Sequence, residues 1–472
     1  MAPGGEPIFL SLSRGLCRAC RRPAEVRYVA TPEGVFLERF CPEHGTSRAL
    51  VAETLAWYLA ALQAPSAARP PGWTVPRTGE CATSCGPCSF HGQACHLPVF
   101  SITNACDLRC PICFTYNRPD RAWFMSPDEL ERHLDFVLQA TGGVDLVNVT
   151  GGEPTMHPAL PELLRRCRRP GIGRVTVNTN GLRLARDPAL AAALADTGAY
   201  AILSLDTLDP QRSVRLHGRD IVGEKRAALD ALERAGVPTT LLMVLVGGVN
   251  EDELPALLDL LATRAHVRSL TVQTMTYTGQ GGGAFEPRLH VPVEGVERRV
   301  EEATGGRIAR RDFLPLPAAH PLCYGVTYLL SDGAGTLHPM TRLLPPAALA
   351  RQLADGYLLR PTDGFEAELK EGLDRLWASG ADPALLATVK DLVRSVYPPG
   401  EPLDVHERQR RAERRVKTIY VHAHMDEDTF EIGRAMRCPD QVPVHAERLV
   451  GACAYNLFHR QRDARFWVQN DA

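Results

Sequence analysis

Fourteen cysteines are spread unevenly over these 472 residues, and ten of them lie before residue 114. In a short secreted domain that density would mean a disulfide framework. The first residues, MAPGGEPIFLSLSRG, carry no basic region followed by a sustained apolar run, so a signal peptide is not expected. In a long chain without a signal, clustered C-x-x-C spacings point to metal. Metal–thiolate centres that are labile to oxygen place such a chain in a reducing, cytoplasmic setting. No run of 18 apolar residues occurs, so no spanning helix is expected either. A net charge of −2 gives no electrostatic reason to expect a nucleic-acid partner.

The cysteines fall into groups that divide the chain. Cys17 and Cys20 are followed by an alternating stretch, Val26 to Phe40, that reads as a hairpin turning near Pro32-Glu33-Gly34. It ends at Cys41-Pro42-Glu43-His44. Two ligand pairs at tight turns joined by a hairpin resemble a zinc-ribbon or rubredoxin-like knuckle, which with the following helix spans residues 1–63. A Pro/Ala linker occupies 64–80, and a second group, Cys81, Cys85, Cys88 and Cys95, fills 81–96.

Over residues 97–283 strands and helices alternate. Candidate strands are 99–103, 145–150, 175–179, 200–206, 239–246 and 269–276, with helices starting near Ser126, Pro158, Asp187, Arg219 and Asp252. The predicted fold class is therefore α/β, a partial (β/α)6 TIM-like barrel whose chemistry sits at the carboxyl ends of its strands. Residues 284–472 read as a C-terminal extension holding Cys323, Cys438 and Cys453. Cys167, at the end of a crossover helix, reads as structural.

Just past the first strand comes Cys106-Asp107-Leu108-Arg109-Cys110-Pro111-Ile112-Cys113. Three thiolates on a short loop can hold three irons of a [4Fe–4S] cluster and leave the fourth open to a small molecule. Gly151-Gly152-Glu153-Pro154 ends the second strand. There two glycines allow close backbone approach and Glu153 adds a carboxylate. Asn178 and Asn180 end the third strand, Ser204 and Asp206 the fourth, Gly247 the fifth and Gln273 the sixth.

The C-x3-C-x2-C loop and the GGEP turn are similar to the signature of the radical S-adenosylmethionine (SAM) superfamily. One departure is Ile112, where that signature usually carries an aromatic residue. The resemblance implies that SAM completes the open iron, and that the residues just named at the strand ends hold it. It implies one-electron reduction of the sulfonium, release of a 5′-deoxyadenosyl radical, and hydrogen abstraction from an unactivated C–H bond, the cofactor supplying the hard chemistry. No catalytic side chain beyond the cluster ligands is required.

The whole layout further resembles the group containing tetraether lipid synthase and the class D radical SAM methylases that modify the methanopterin ring. The shared features are the CPEHG knuckle, the cysteine segment before the barrel, and His422-Ala423-His424-Met425-Asp426 … Cys438 … Cys453-Ala454-Tyr455-Asn456. This resemblance implies a mononuclear iron or zinc on Cys17, Cys20, Cys41 and His44. It also implies an auxiliary [4Fe–4S] cluster on Cys81, Cys85, Cys88 and Cys95. For a second auxiliary cluster on Cys323, Cys438 and Cys453, the fourth ligand is open among His320, His445 and substrate, and loss of that cluster is equally open.

The first functional expectation is C–C bond formation on a lipid chain, which needs an apolar groove over the barrel mouth and peripheral contact with a membrane. The alternative is radical-dependent methylation of a small ring such as a pterin, which needs a one-carbon donor besides the cleaved SAM. A non-catalytic iron–sulfur carrier is a third reading, and it has no use for a SAM cradle. Either enzyme needs an electron donor such as ferredoxin or flavodoxin.

Overall fold

The computed structural model describes residues 6–76, 86, 88–115, 122–354, 356–380, 382–444, 448–463 and 465–466. The N-terminal strands β1 (Ile8–Leu16), β2 (Pro23–Thr31), β3 (Gly34–Cys41) and β4 (Gly45–Ala52) form an antiparallel meander. Their alternation follows from one buried face. Val26, Tyr28, Ala30, Val35 and Leu37 point inward, while Arg27 and Glu38 pair across the outer face at 3.0 Å. Helix α1 (Leu55–Gln63) starts at Thr54, whose side chain caps Trp57 N. The ribbon is fixed to the rest of the molecule here: Thr54 donates to Glu294, and Trp57 Nε1 donates to Glu297 at 2.8 Å.

The central strands are β5 (Leu97–Ser101), β6 (Val144–Thr150), β7 (Ile172–Thr179), β8 (Tyr200–Ser204), β9 (Thr239–Leu245) and β10 (Val267–Thr274), each parallel to the one before. Helices α2 (Pro127–Thr141), α3 (Leu160–Cys167), α4 (Leu182–Arg186), α5 (Pro188–Thr197), α6 (Pro210–His217), α7 (Val222–Arg234) and α8 (Leu254–Thr263) make the crossovers. Local signals set their limits. Ser126 caps α2, and Gly142, at φ 74°, ends it in the left-handed conformation. Helical leucines such as Leu134, Leu163, Leu232 and Leu257 bury against Val147, Val177, Leu203 and Leu241 of the sheet. Truncating one of them to alanine costs about 2–5 kcal/mol. Cys167 lies in this core, with its thiol pushed up to about 12 by burial.

The extension departs from the sequence reading. Residues 284–472 are not simply appended. They supply β11 (Leu314–Pro315), β12 (Tyr324–Ser331), β13 (Leu337–Pro339), β14 (Val416–His422), β15 (Asp440–Val444) and β16 (Arg448–Gly451) to the central sheet. Strand β14 lies parallel beside β10, and β15 parallel beside β5. The six-stranded sheet thus gains a parallel neighbour at each edge, which pairs backbone that would otherwise be exposed. After β16, a one-turn helix and a π-helical turn, Tyr455–His459, pack with Phe430, Val450 and Val99.

Candidate metal and cofactor site

The cysteine loop leaves β5 and is pinned against the end of β6 by backbone alone. Gly152 N donates to Thr103 O, and Glu153 N to Ala105 O, both at 2.7 Å. A Cβ on Gly151 would sit 2.3 Å from Thr103 O, and one on Gly152 2.2 Å from Ala105 O. The glycine pair therefore serves the approach of two protein segments. Glu153 is buried and fully engaged, accepting from Thr155 N, Thr155 Oγ1, Thr179 Oγ1 and Asn180 N at 2.6–2.9 Å. Pro154 opens the short 3-10 turn that Glu153 caps.

The three loop thiols converge. Cys106 feels Cys113 and Cys110, and Cys110 feels Cys113 and Asp206. Burial pushes Cys110 up to about 12 and Cys106 in the same direction, so without a metal these sulfurs keep their protons. Leu108, Leu182 and Ile221 pack around Cys106 and Cys110. Ile112 is buried among Leu216, Val246, Met275, Tyr277 and Phe285, so apolar cover is present without an aromatic at that position.

The strand ends divide into engaged and open groups. Asn180 ties the loop down, its Nδ2 donating to Asp107 Oδ1 at 2.6 Å. Asp206 accepts from Val244 N at 2.7 Å and meets His217 Nε2 at 2.9 Å. Gly247 packs against Leu289, where a Cβ would lie 2.7 Å from its carbonyl oxygen. Gln273 is buried at the end of β10 between β9 and β14. Asn178 differs: its Oδ1 is buried and has no hydrogen-bond partner within the protein. Ser204 contributes its carbonyl, which accepts from Lys225 Nζ at 2.7 Å, as does Asn180 O at the same distance.

Lys225 went unnoticed in the sequence. It is a fully buried cation on α7 whose charge faces Asp206 and Cys110, and burial lowers its pKa. Its only sequence signal is a lysine on the apolar side of a helix, a position at which most lysines reach solvent.

In the ribbon, the ligand atoms of Cys17, Cys20, Cys41 and His44 all lie within 4.8 Å of one another. Cys20 and Cys41 sulfurs are 4.0 Å apart, and His44 Nδ1 is 3.4 Å from Cys41 Sγ and 3.6 Å from Cys17 Sγ. Of the second group, Cys88 and Cys95 are buried, and Cys81 and Cys85 lie outside the described residues. Cys438 feels Cys453 and Cys323, which brings the C-terminal thiols into one neighbourhood. The nitrogen beside them is neither of the two considered. His424 Nδ1 stands 3.4 Å from Cys453 Sγ, and its ring stacks on Phe114 at 5.8 Å, next to Cys113. His320 is half-buried, and desolvation with the charges of Arg434 and Arg437 lowers its pKa to about 3, while His445 lies outside the described residues. Arg434 Nε donates to Cys323 Sγ at 3.3 Å. The group His290, Asp426 and Asp428 is also tight, but Asp428 is bound by Arg39 and Arg288, each at 2.9 Å, and reads as an ion-pair network.

Residues 100–261 match the radical SAM superfamily model. A GTP 3′,8-cyclase of Pelotomaculum thermopropionicum is 30% identical over 52% of this chain and 72% of its own length. The chain belongs to the radical SAM superfamily. Outside the barrel, residues 9–53 match the HMPTM N-terminal zinc ribbon domain. A 7,8-dihydro-6-hydroxymethylpterin dimethyltransferase of Methanocaldococcus jannaschii is 24% identical over 94% of this chain and 93% of that protein. Among solved structures, Streptococcus suis SuiB bound to its precursor peptide is 23% identical over 45% of this chain and 46% of that one, with a TM-score of 0.39. A radical SAM enzyme requires a [4Fe–4S] cluster and SAM, and the donor set here fits both. Three thiols share one loop, burial raises the pKa of two of them, Cys106 and Cys110, and an unpartnered buried amide oxygen stands at a neighbouring strand end.

Proposed function

We propose that this radical SAM enzyme methylates a small pterin-like ring, with Cys106, Cys110 and Cys113 as ligands of its reactive cluster. The observation that carries the reading is the extent of the likeness. The pterin dimethyltransferase matches along nearly the whole chain, ribbon and extension included, whereas a GTP 3′,8-cyclase of Chlorobaculum tepidum, 36% identical, covers 37% of this chain and 51% of its own length. The sequence reading put C–C bond formation on a lipid first and pterin methylation second, and the full-length relative reverses that order. The cavities favour the same order. The one between the ribbon and the segment after β10 is edged by Arg18, Arg21, Arg39 and Arg288 and by the ribbon residues Cys17, Cys41 and His44, while the apolar cleft near Tyr328 and Val396 holds only about 60 Å³.

When bound, the cluster and SAM supply reductive C–S cleavage and hydrogen-atom abstraction from carbon. The protein's share is placement. Glu153 locks the ends of β6 and β7, Asn180 holds the cysteine loop through Asp107, and Lys225 sets a positive charge beside Cys110 that offsets thiolate charge. Leu108, Leu182, Ile221 and Ile112 exclude water. Asn178 and the polar ends of β8 to β10 face the cofactor. Cys17, Cys20, Cys41 and His44 hold one zinc or iron, and Cys81, Cys85, Cys88 and Cys95 an auxiliary cluster. Cys323, Cys438 and Cys453 hold a further one, with His424 as the nitrogen beside them. A flavodoxin- or ferredoxin-type donor supplies electrons in the cytoplasm. Among the described residues no helix is long and apolar enough to cross a membrane.

The test is anaerobic reconstitution with SAM, dithionite, a one-carbon donor and either a dihydropterin or a phospholipid. Methylated pterin together with 5′-deoxyadenosine is the expected result. Deoxyadenosine coupled only to lipid products overturns the reading. Cys85→Ala is expected to leave some uncoupled SAM cleavage while stopping product formation.

A further inference from the structure

Arg460 follows the π-helical turn Tyr455–His459 and is 6% exposed. Its guanidinium meets neutral groups. Nε donates to Asn456 Oδ1 at 3.1 Å and Nη2 to Ser101 Oγ at 3.3 Å, while Nη1 has no partner within the protein. The rings of Phe466 and Tyr455 stand 4.7 and 5.3 Å away. Among the described residues no carboxylate pairs with it. The neighbouring Asp463 is held by Arg465 Nη2 at 2.6 Å and by the Tyr455 hydroxyl at 3.0 Å. A buried charge without a partner is costly, so the counter-charge of Arg460 has to come from elsewhere.

Its place in the fold points to the source. Ser101 is the last residue of β5, and the cysteine loop starts just beyond it. The tail that carries Arg460 is clasped to the root of that loop. Asn104 Nδ2 donates to Arg465 O, Asn104 Oδ1 accepts from Trp123 N at 2.7 Å, and the Trp123 ring stands 5.8 Å from that of Phe466. Tyr455, Cys113 and Asp463 are the groups able to turn negative that the guanidinium faces. Burial pushes the Tyr455 phenol up to about 12, so it keeps its proton, and Asp463 is engaged by Arg465. The Cys113 sulfur is the one left. The C-terminal thiols show the same pairing at short range, where Arg434, 4% exposed, donates through Nε to Cys323 Sγ at 3.3 Å.

We infer that Arg460 is a counter-charge of the reactive cluster, a fixed cation that the C-terminal extension sets beside the third loop thiolate and that makes the cluster easier to reduce. The inference rests on Cys106, Cys110 and Cys113 as the cluster's ligands. Net charge and the groups around the sulfurs set the potential of such a centre. Reduction adds one negative charge in a desolvated site, where a nearby cation acts strongly. The electron comes from the external donor, which is oxidised; no proton moves, and Arg460 stays charged. Lys225 faces Cys110 and Arg460 faces Cys113, so two of the three thiolates meet a buried cation. This gives a task to Tyr455 and Asn456, the end of the CAYN stretch: ring and amide hold the guanidinium in place.

The experiment is an anaerobic redox titration of the reconstituted holoenzyme followed by electron paramagnetic resonance. The reactive cluster is the signal that SAM perturbs and that Cys110→Ala lacks. The variants are Arg460→Gln, Arg460→Lys and Asn456→Asp, with iron content and the thermal transition as folding checks. At a fixed potential Arg460→Gln is expected to lower the ratio of reduced to oxidised reactive cluster tenfold, a downshift of about 59 mV for one electron. Arg460→Lys, which keeps the charge, is expected to keep the wild-type ratio. Asn456→Asp pairs the guanidinium where it stands and is expected to give the same downshift as Arg460→Gln; it decides the matter if Arg460→Gln loses iron. A wild-type potential in a folded, iron-replete Arg460→Gln overturns the inference and leaves the cluster assignment standing, and so does an equal downshift in Arg460→Lys. Absence of any SAM-perturbed signal in the wild type overturns both.

Discussion

The ribbon and the barrel loop both offer sulfur ligands, yet at different scales. The four ribbon ligand atoms sit within 4.8 Å of one another, close enough for one ion to satisfy all of them. Among the described residues, the loop thiols belong to no such tight set. Their electrostatics differ as well. The His44 hydrogen bond pulls Cys41 down, whereas burial pushes Cys110 up to about 12. A closed, polar knuckle suits a single metal ion held for structure. An open, desolvated trio suits a larger cluster that a small molecule must complete.

The largest expected effect separates these roles. Cys110→Ala abolishes 5′-deoxyadenosine formation while ribbon metal per chain stays at the wild-type value; loss of both would mean the two regions fold as one. Next, Cys41→Ala strips the ribbon ion. Structural zinc contributes apparent free energies of about 10–16 kcal/mol, so residues 9–53 become sensitive to limited proteolysis while the barrel iron remains. Removing the cation beside the loop comes third. Lys225→Met leaves the carbonyls of Asn180 and Ser204 buried without their donor, at a cost of about 1–3 kcal/mol each in denaturant unfolding.

The seam between the two regions carries a pH signature. Burial pushes the Glu297 carboxyl up to about 8, so the folded chain favours its protonated form. That stabilisation is complete below the ordinary carboxylate range and is lost as pH rises through 8. Wild-type melting temperature should therefore fall between pH 6 and 8.5, by the equivalent of roughly 3 kcal/mol, and Glu297→Gln should flatten the slope. The smallest effect is at the strand end. Asn178→Ala weakens SAM binding about tenfold without moving the melting temperature, because its oxygen has no partner within the protein to lose.

Local chemistry made part of this legible in the sequence. The six central strands appear within a few residues of their expected limits, because apolar runs buried on both faces and caps such as Ser126 are written locally. The added strands β14 and β15 were not legible. Their segments are separated by helices from the strands they join, and they bury polar residues such as Lys417 and Gln441 that break the apolar pattern. Within the site, residue types were readable but their partners were not. Glu153 and Asp206 look like ligand-binding carboxylates in the sequence, and in the fold their oxygens are engaged by donors from neighbouring strands and helices.

By itself, the sequence determined which atoms can hold metal and which turns can approach closely, since thiolate spacing and glycine pairs act over a few residues. Tertiary structure alone decided that Lys225 stands by Cys110, that His424 stands by Cys453, and that Arg460 reaches Ser101. Those pairings join residues far apart in the chain, and only sheet order and packing bring them together.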